Sequence, residues 1–191
     1  MIPEGFKEVV RLDMLGNKHK LIDKLNAAAM ILVIACGAIG LVLNYVLRML
    51  RMPGGMYFVY SLGGAALCIA YIYLHELAHA LAIIMIKRKK PEIKFGKFVA
   101  SCGAPSVTFS KPQYVFAASF PLVFYCAALI PLCVLLPAEF FPLPFLPLCY
   151  NVFGSMGDVY MMRVMTRSKK GCVIVDNGTE VIAYAPIEPQ P

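Results

Sequence analysis

Three ionisable residues stand together in His75-Glu76-Leu77-Ala78-His79, inside a stretch from about Tyr57 to Ile86 that is otherwise apolar enough to cross a bilayer. Polar groups at such a depth are expensive to keep without a use. On a helix, residues four apart lie on one face, one turn above the other, so both imidazoles reach a single metal ion. Glu76 lies close enough to that face to meet a water that the metal holds. Zinc lowers the pKa of such a water toward neutrality. A neighbouring carboxylate then takes the proton as the water attacks a polarised peptide carbonyl, and hands it to the leaving amine. The competing reading is a polar helix face that packs against other helices, with the histidines hydrogen-bonded and no metal.

Two histidines do not complete a catalytic zinc site, which takes three protein ligands and keeps a fourth position open. The remaining histidine, His19, sits between Lys18 and Lys20 in a polar segment and reads as a solvated surface residue. Asp158, in Asn151-Val-Phe-Gly-Ser-Met-Gly-Asp158, is the conspicuous intramembrane carboxylate. His79 lies ~10 Å from the expected end of its helix and Asp158 ~7.5 Å before Arg163, so their depths match within about a turn. Gly154, Ser155 and Gly157 would let the two helices approach closely. The alternative for Asp158 is a helix-end carboxylate paired with Arg163 or a nearby lysine. Asn151, about two turns before Asp158, projects to a similar face. It would bond the substrate backbone or the developing oxyanion, or else serve as an interhelix hydrogen bond. Cys102 is a lone alternative ligand.

These residues need elements to hold them at one depth. The chain has 191 residues, of which 60% are hydrophobic, too apolar for an ordinary soluble domain. Four segments reach or approach spanning length, about 25–47, 57–86, 114–136 and 142–162. The expected fold class is therefore an all-α integral membrane protein with about four transmembrane helices and small cytoplasmic β-hairpins. Residues 1–24 form a cytoplasmic N-terminal segment, 25–164 the membrane core with a hairpin at 93–110, and 165–191 a C-terminal hairpin and tail. Asn177-Gly178 favours the tight turn of that second hairpin. Lysines and arginines number five before the first span, seven between the second and third, and four as the fourth exits, against two on the opposite side. That bias predicts both termini inside a cell membrane crossed several times. The net charge of +7 then reflects topology and attraction to the lipid bilayer, with no nucleic-acid partner. Seven cysteines, an odd number and most of them within expected spans, argue against a disulfide framework.

The His-Glu-Leu-Ala-His helix, the basic strand-like segment after it, and a later helix carrying Asn151 and Gly157-Asp158 resemble the site-2-protease-type intramembrane metalloproteases. The closest likeness is to the compact bacterial zincin-peptidase membrane family. It extends over the Pro3-Glu-Gly-Phe6-Lys-Glu opening, Phe95-Gly96 and the 151–158 block. Matched residue by residue, the resemblance implies that His75, His79 and Asp158 hold one zinc ion and that Glu76 is the catalytic carboxylate. Better-known site-2 proteases have Asn-x-x-Pro ahead of Asp-Gly, whereas this chain has Asn151-Val-Phe-Gly154 and then Gly157-Asp158.

The expected function is a zinc-dependent endopeptidase acting near the cytoplasmic face of the membrane, with a peptide or transmembrane protein as substrate. The 93–110 hairpin would present it by strand addition, or would contact lipid headgroups with its lysines. A non-catalytic metal-binding scaffold would have no need of Glu76. A small transporter would spread its ionisable groups over several depths. A membrane hydrolase of a non-peptide substrate would use the same motif. The same ligands would also accept iron or cobalt. Oligomeric state is not legible.

Overall fold

The computed structural model describes residues 5–13, 24, 27, 28, 31, 32, 34–39, 42, 54–95, 100–137 and 140–187. Its elements run β1 (Phe6–Asp13), α1 (Gly54–Lys87), β2 (Glu92–Phe95), β3 (Ala100–Gly103), α2 (Lys111–Leu135), α3 (Pro142–Gly154), α4 (Met156–Thr166), β4 (Val173–Asp176) and β5 (Glu180–Pro186). They divide into two compact units. One comprises residues 1–22, 75–120 and 157–191, the other 23–74 and 121–156.

The four-span, all-α expectation is overturned. The protein is mixed α/β, with an antiparallel sheet of order β1-β5-β4 and a separate β2-β3 pair. Among the described residues, two helices are long and apolar enough to cross a membrane, Phe58–Lys87 and Lys111–Leu135. The expected first span, 25–47, lies largely outside the described residues. The expected fourth span breaks at Ser155 into helices of 13 and 11 residues. At 1.5 Å per residue neither covers a ~30 Å hydrocarbon core. Pro147 inside α3 removes one amide donor, and Gly154 ends that helix. The N-terminal segment, expected as a polar tail, contains a strand. Lysine and arginine content reads as tail, but Val9, Val10 and Leu12 pack on the buried core.

In the first unit β5 is the central strand, and Val181, Ala183 and Ala185 are buried along one of its faces. Beyond β3 the chain continues this arrangement, because Phe109 and Ile174 exchange both backbone hydrogen bonds, at 2.7 and 2.8 Å. Phe109, Met165, Ile174 and Val181 form the fully buried centre. Gly103 is required by packing: a Cβ there would meet the Gly178 nitrogen at 2.1 Å. Gly178 itself has φ +83°, the left-handed conformation its turn needs. Helix α1 ends at Arg88, whose N–H bonds the Ile84 carbonyl at 2.8 Å.

In the second unit, α1 and α3 meet where glycine allows it. A Cβ on Gly64 would lie 2.7 Å from the Pro142 carbonyl. Tyr71 stacks edge-on against Tyr125 and Tyr150, with ring centroids 5.0 and 5.6 Å apart.

Candidate metal centre

Helix α1 is continuous through residues 75–79, so the four-residue spacing does put both histidines on one face. Their Nε2 atoms are 3.2 Å apart. Asp158 comes to them from the first turn of α4, where the positive end of a helix favours a carboxylate. Its Oδ2 is 3.1 Å from His75 Nε2 and its Oδ1 is 3.6 Å from His79 Nε2. These three residues are the one group of metal-ligating side chains found together among the described residues.

The set fits a zinc ion on two grounds. Ligands held ~2.0–2.2 Å from a tetrahedral ion stand about 3.3–3.5 Å from one another, and the observed separations bracket that value. Protonation state also fits: His79 Nδ1 lies 2.9 Å from the Ala117 carbonyl, which can only accept, so Nδ1 carries the hydrogen. In the neutral ring Nε2 then keeps its lone pair and points at the other two ligands. Burial alone would raise the Asp158 carboxyl, but the positive charge of a protonated His79 and hydrogen bonds from both rings outweigh it and hold that group well below the usual carboxylate range, and a bound cation would take the place of the His79 proton. Asp158 is therefore ionised, as a ligand must be.

Beside this group is a small cavity of about 60 Å³, lined among others by Glu76, His79, Cys102, Tyr114, Asp158 and Asp176. The backbone N–H of Cys102 is directed at the Glu76 carboxylate. Burial pushes the Cys102 thiol up to about 12, with Glu76 and Asp176 adding to the effect, so it is a neutral wall of the cavity. Lys87 closes the far end of α1 against α2, donating to Gln113 Oε1 at 2.7 Å.

Asn151 lies in the other unit and is not among the residues that line this cavity. It is fully buried. Its Oδ1 accepts from the Tyr71 hydroxyl, and its Nδ2 donates to the Leu122 carbonyl at 3.1 Å and to Cys126 Sγ at 3.3 Å.

The model of a family described as "Putative zincin peptidase" matches residues 68–173, more than half of the chain. The chain belongs to this family. Comparison with curated proteins and with solved structures gives no match. Membership implies zinc as the metal and a metallopeptidase as the class of protein. The matched stretch holds all three candidate ligands and Glu76.

Two lining residues escaped the reading of the sequence. Tyr114, at the start of an expected span, is 2% exposed. Asp176 directly precedes the Asn177-Gly178 turn. Strand alternation was the available signal, since Asp176 shares a face with Ile174, and Ile174 is fully buried.

Proposed function

We propose that this zincin peptidase is a membrane-associated endopeptidase in which His75, His79 and Asp158 hold one zinc ion and Glu76 is the general base. The observation that carries the reading is the convergence of two imidazole nitrogens and a carboxylate within 3.1–3.6 Å, with Glu76 on the adjoining cavity. Zinc, when bound, supplies a Lewis acid and makes water acidic enough to lose a proton near neutral pH. Glu76 accepts that proton as the water oxygen adds to the peptide carbonyl carbon. It returns the proton to the amide nitrogen as the C–N bond breaks, so that the amine leaves neutral. The Ala117 carbonyl keeps His79 in its binding tautomer, and the Cys102 N–H orients the Glu76 carboxylate.

Ala100, Ser101 and Cys102 run along the cavity on β3, which pairs only with β2 among the described residues. An extended peptide, or an unwound segment of a transmembrane protein, would add to β3 by backbone hydrogen bonds. Membrane association rests on α1 and α2, whose outward residues are large and apolar: Phe58, Leu62, Ile69, Val123 and Leu135 are each more than 60% exposed. Helix α1, at 34 residues or about 51 Å, outruns a ~30 Å hydrocarbon core, so a site near one of its ends sits at the membrane boundary. This arrangement is the site-2-protease-like one. Asn151, with every hydrogen-bonding group of its amide used, joins helices of its own unit.

Elemental analysis of protein purified in detergent tests the assignment, with wild type beside Glu76→Gln and Asp158→Ala and cleavage of co-expressed membrane proteins followed in parallel. About one zinc per chain is expected in wild type and Glu76→Gln, less in Asp158→Ala, and cleavage in wild type alone. Wild type that binds no zinc after purification without chelators and with zinc supplied would end the reading.

A further inference from the structure

The cavity beside the metal centre carries more negative charge than the proposed chemistry uses. Glu76, Asp158 and Asp176 line it, and among the described residues no lysine or arginine does. A divalent ion on Asp158, with Glu76 close by, balances two carboxylates and leaves the third over. Asp176 makes no ion pair among the described residues. Among the described residues its side chain accepts one hydrogen bond, from the Gly178 N–H to Oδ1 at 2.8 Å, and Oδ2 accepts none. Nor does Asp176 belong to the converging ligand group.

A second observation comes from the same cavity. Tyr114 lines it, is 2% exposed, and its buried hydroxyl has no hydrogen-bond partner among the described residues. Buried polar groups are rarely left unpaired, so an orphaned phenol on a cavity wall marks a place where a ligand atom completes the bonding. A carboxylate only accepts, whereas a neutral phenol accepts through its oxygen and donates its O–H. A cation with several N–H donors answers both oxygens, and the phenol O–H stays available to a substrate carbonyl.

We infer that Asp176 and Tyr114 form a subsite for a protonated primary amine of the substrate, either a lysine side chain or a free amino terminus. The cavity's 60 Å³ admits only a few water-sized groups, which suits an ammonium and excludes an aromatic side chain. An ammonium offers three donors with no fixed plane, enough for the Asp176 oxygen, the Tyr114 oxygen and one more partner. Burial holds the Asp176 carboxyl up at about 6, the mark of an anion short of counter-charge, and a bound amine would supply it.

The inference rests on the peptidase reading for the word substrate, and its test does not use turnover. Three probes are titrated into full-length, zinc-loaded protein in detergent and followed by saturation-transfer NMR. Nα-acetyl-lysinamide carries a side-chain ammonium, alaninamide a free α-amine, and Nα-acetyl-norleucinamide no charge. At least one amine should bind wild type about tenfold or more tighter than the norleucine probe. Asp176→Asn, whose amide oxygen can still accept from Gly178, should abolish the preference, and Tyr114→Phe should reduce it several-fold. Preference for the lysine probe assigns the subsite to a side chain, and preference for alaninamide assigns it to an amino terminus. Equal binding of all three probes to wild type overturns the inference. So does a preference that survives in both variants. Failure of the peptidase reading would show separately, as absent zinc or as cleavage unaffected by Glu76→Gln.

Discussion

Two groups of polar side chains interrupt the apolar helices, and they differ in what satisfies them. Around Asn151, each amide valence ends on a neutral partner of the same unit: a tyrosine hydroxyl, a backbone carbonyl and a thiol. Around Asp158, charged or chargeable atoms face one another at 3.1–3.6 Å and border a cavity. Neutral polar groups in a closed network hold helices together. Three ligand atoms aimed at one point, with carboxylates to spare, ask for a cation. Asn151 and Asp158 are only seven residues apart in sequence, yet their surroundings give them different work.

The largest expected effect separates the two groups directly. Glu76→Gln should lower peptide cleavage by at least ~100-fold with zinc retained, while Asn151→Ala should keep cleavage within a few-fold wherever it is folded. Both are read by cleavage assay and metal analysis on the same preparations. An Asn151→Ala protein that is folded, zinc-loaded and inactive would join the two groups into one site.

Stability gives the complementary contrast. Asn151→Ala removes the acceptor of the Tyr71 hydroxyl and the side-chain donors to the Leu122 carbonyl and Cys126 Sγ, and should cost about 1–3 kcal/mol by thermal or denaturant unfolding. Asp176→Asn should do the reverse in protein stripped of zinc. Burial raises the Asp176 carboxyl from 3.8 to about 6, against the pull of the Gly178 N–H and His79 and with a further push from Asp158. The folded state therefore binds the proton more tightly than the unfolded chain. The ionised form costs stability increasingly as pH rises from about 4, and the cost is complete above about 6. Removing the charge should stabilise the zinc-free fold by about 1–3 kcal/mol at pH 8 and leave it unchanged near pH 4. A loss of stability at pH 8 would mean that the carboxylate has a structural partner.

The smallest effect lies on the sheet. Glu8 bonds Arg11 at 2.7 Å, which holds its carboxyl below its ordinary 4.5. The contribution is present above 4.5 and lost as pH falls through the lower native value. Because the pair is exposed, Glu8→Gln should move Tm by no more than about 2 °C at neutral pH, and less in high salt.

How much of this was legible in the sequence depended on period and length. The His75–His79 face follows from helical spacing, and α1 and α2 run close to the apolar limits that mark them. What failed was counting spans by composition. The 142–162 segment is apolar enough, but hydropathy does not register a break at Ser155. β1 was missed because Lys7, Glu8 and Arg11 outweighed its valines as a signal. Asp176 was hidden because a carboxylate next to Asn-Gly reads as turn chemistry until its strand is known to be buried.

The pairing of β1 with β5 carries a consequence for how the protein is made. Arg11 and Glu180, bonded across these strands, are 169 residues apart. A nascent chain on the ribosome must hold β1 without its neighbour until nearly all of the described sequence has been translated. A lone strand is an open invitation to wrong partners, and the alternating charges of Phe6–Asp13 are the guard that natural sequences set on such an edge. The last of the described strands to emerge is thus the one that closes the sheet behind Asp176, which leaves the wall of the cavity unfinished until β5 has been made.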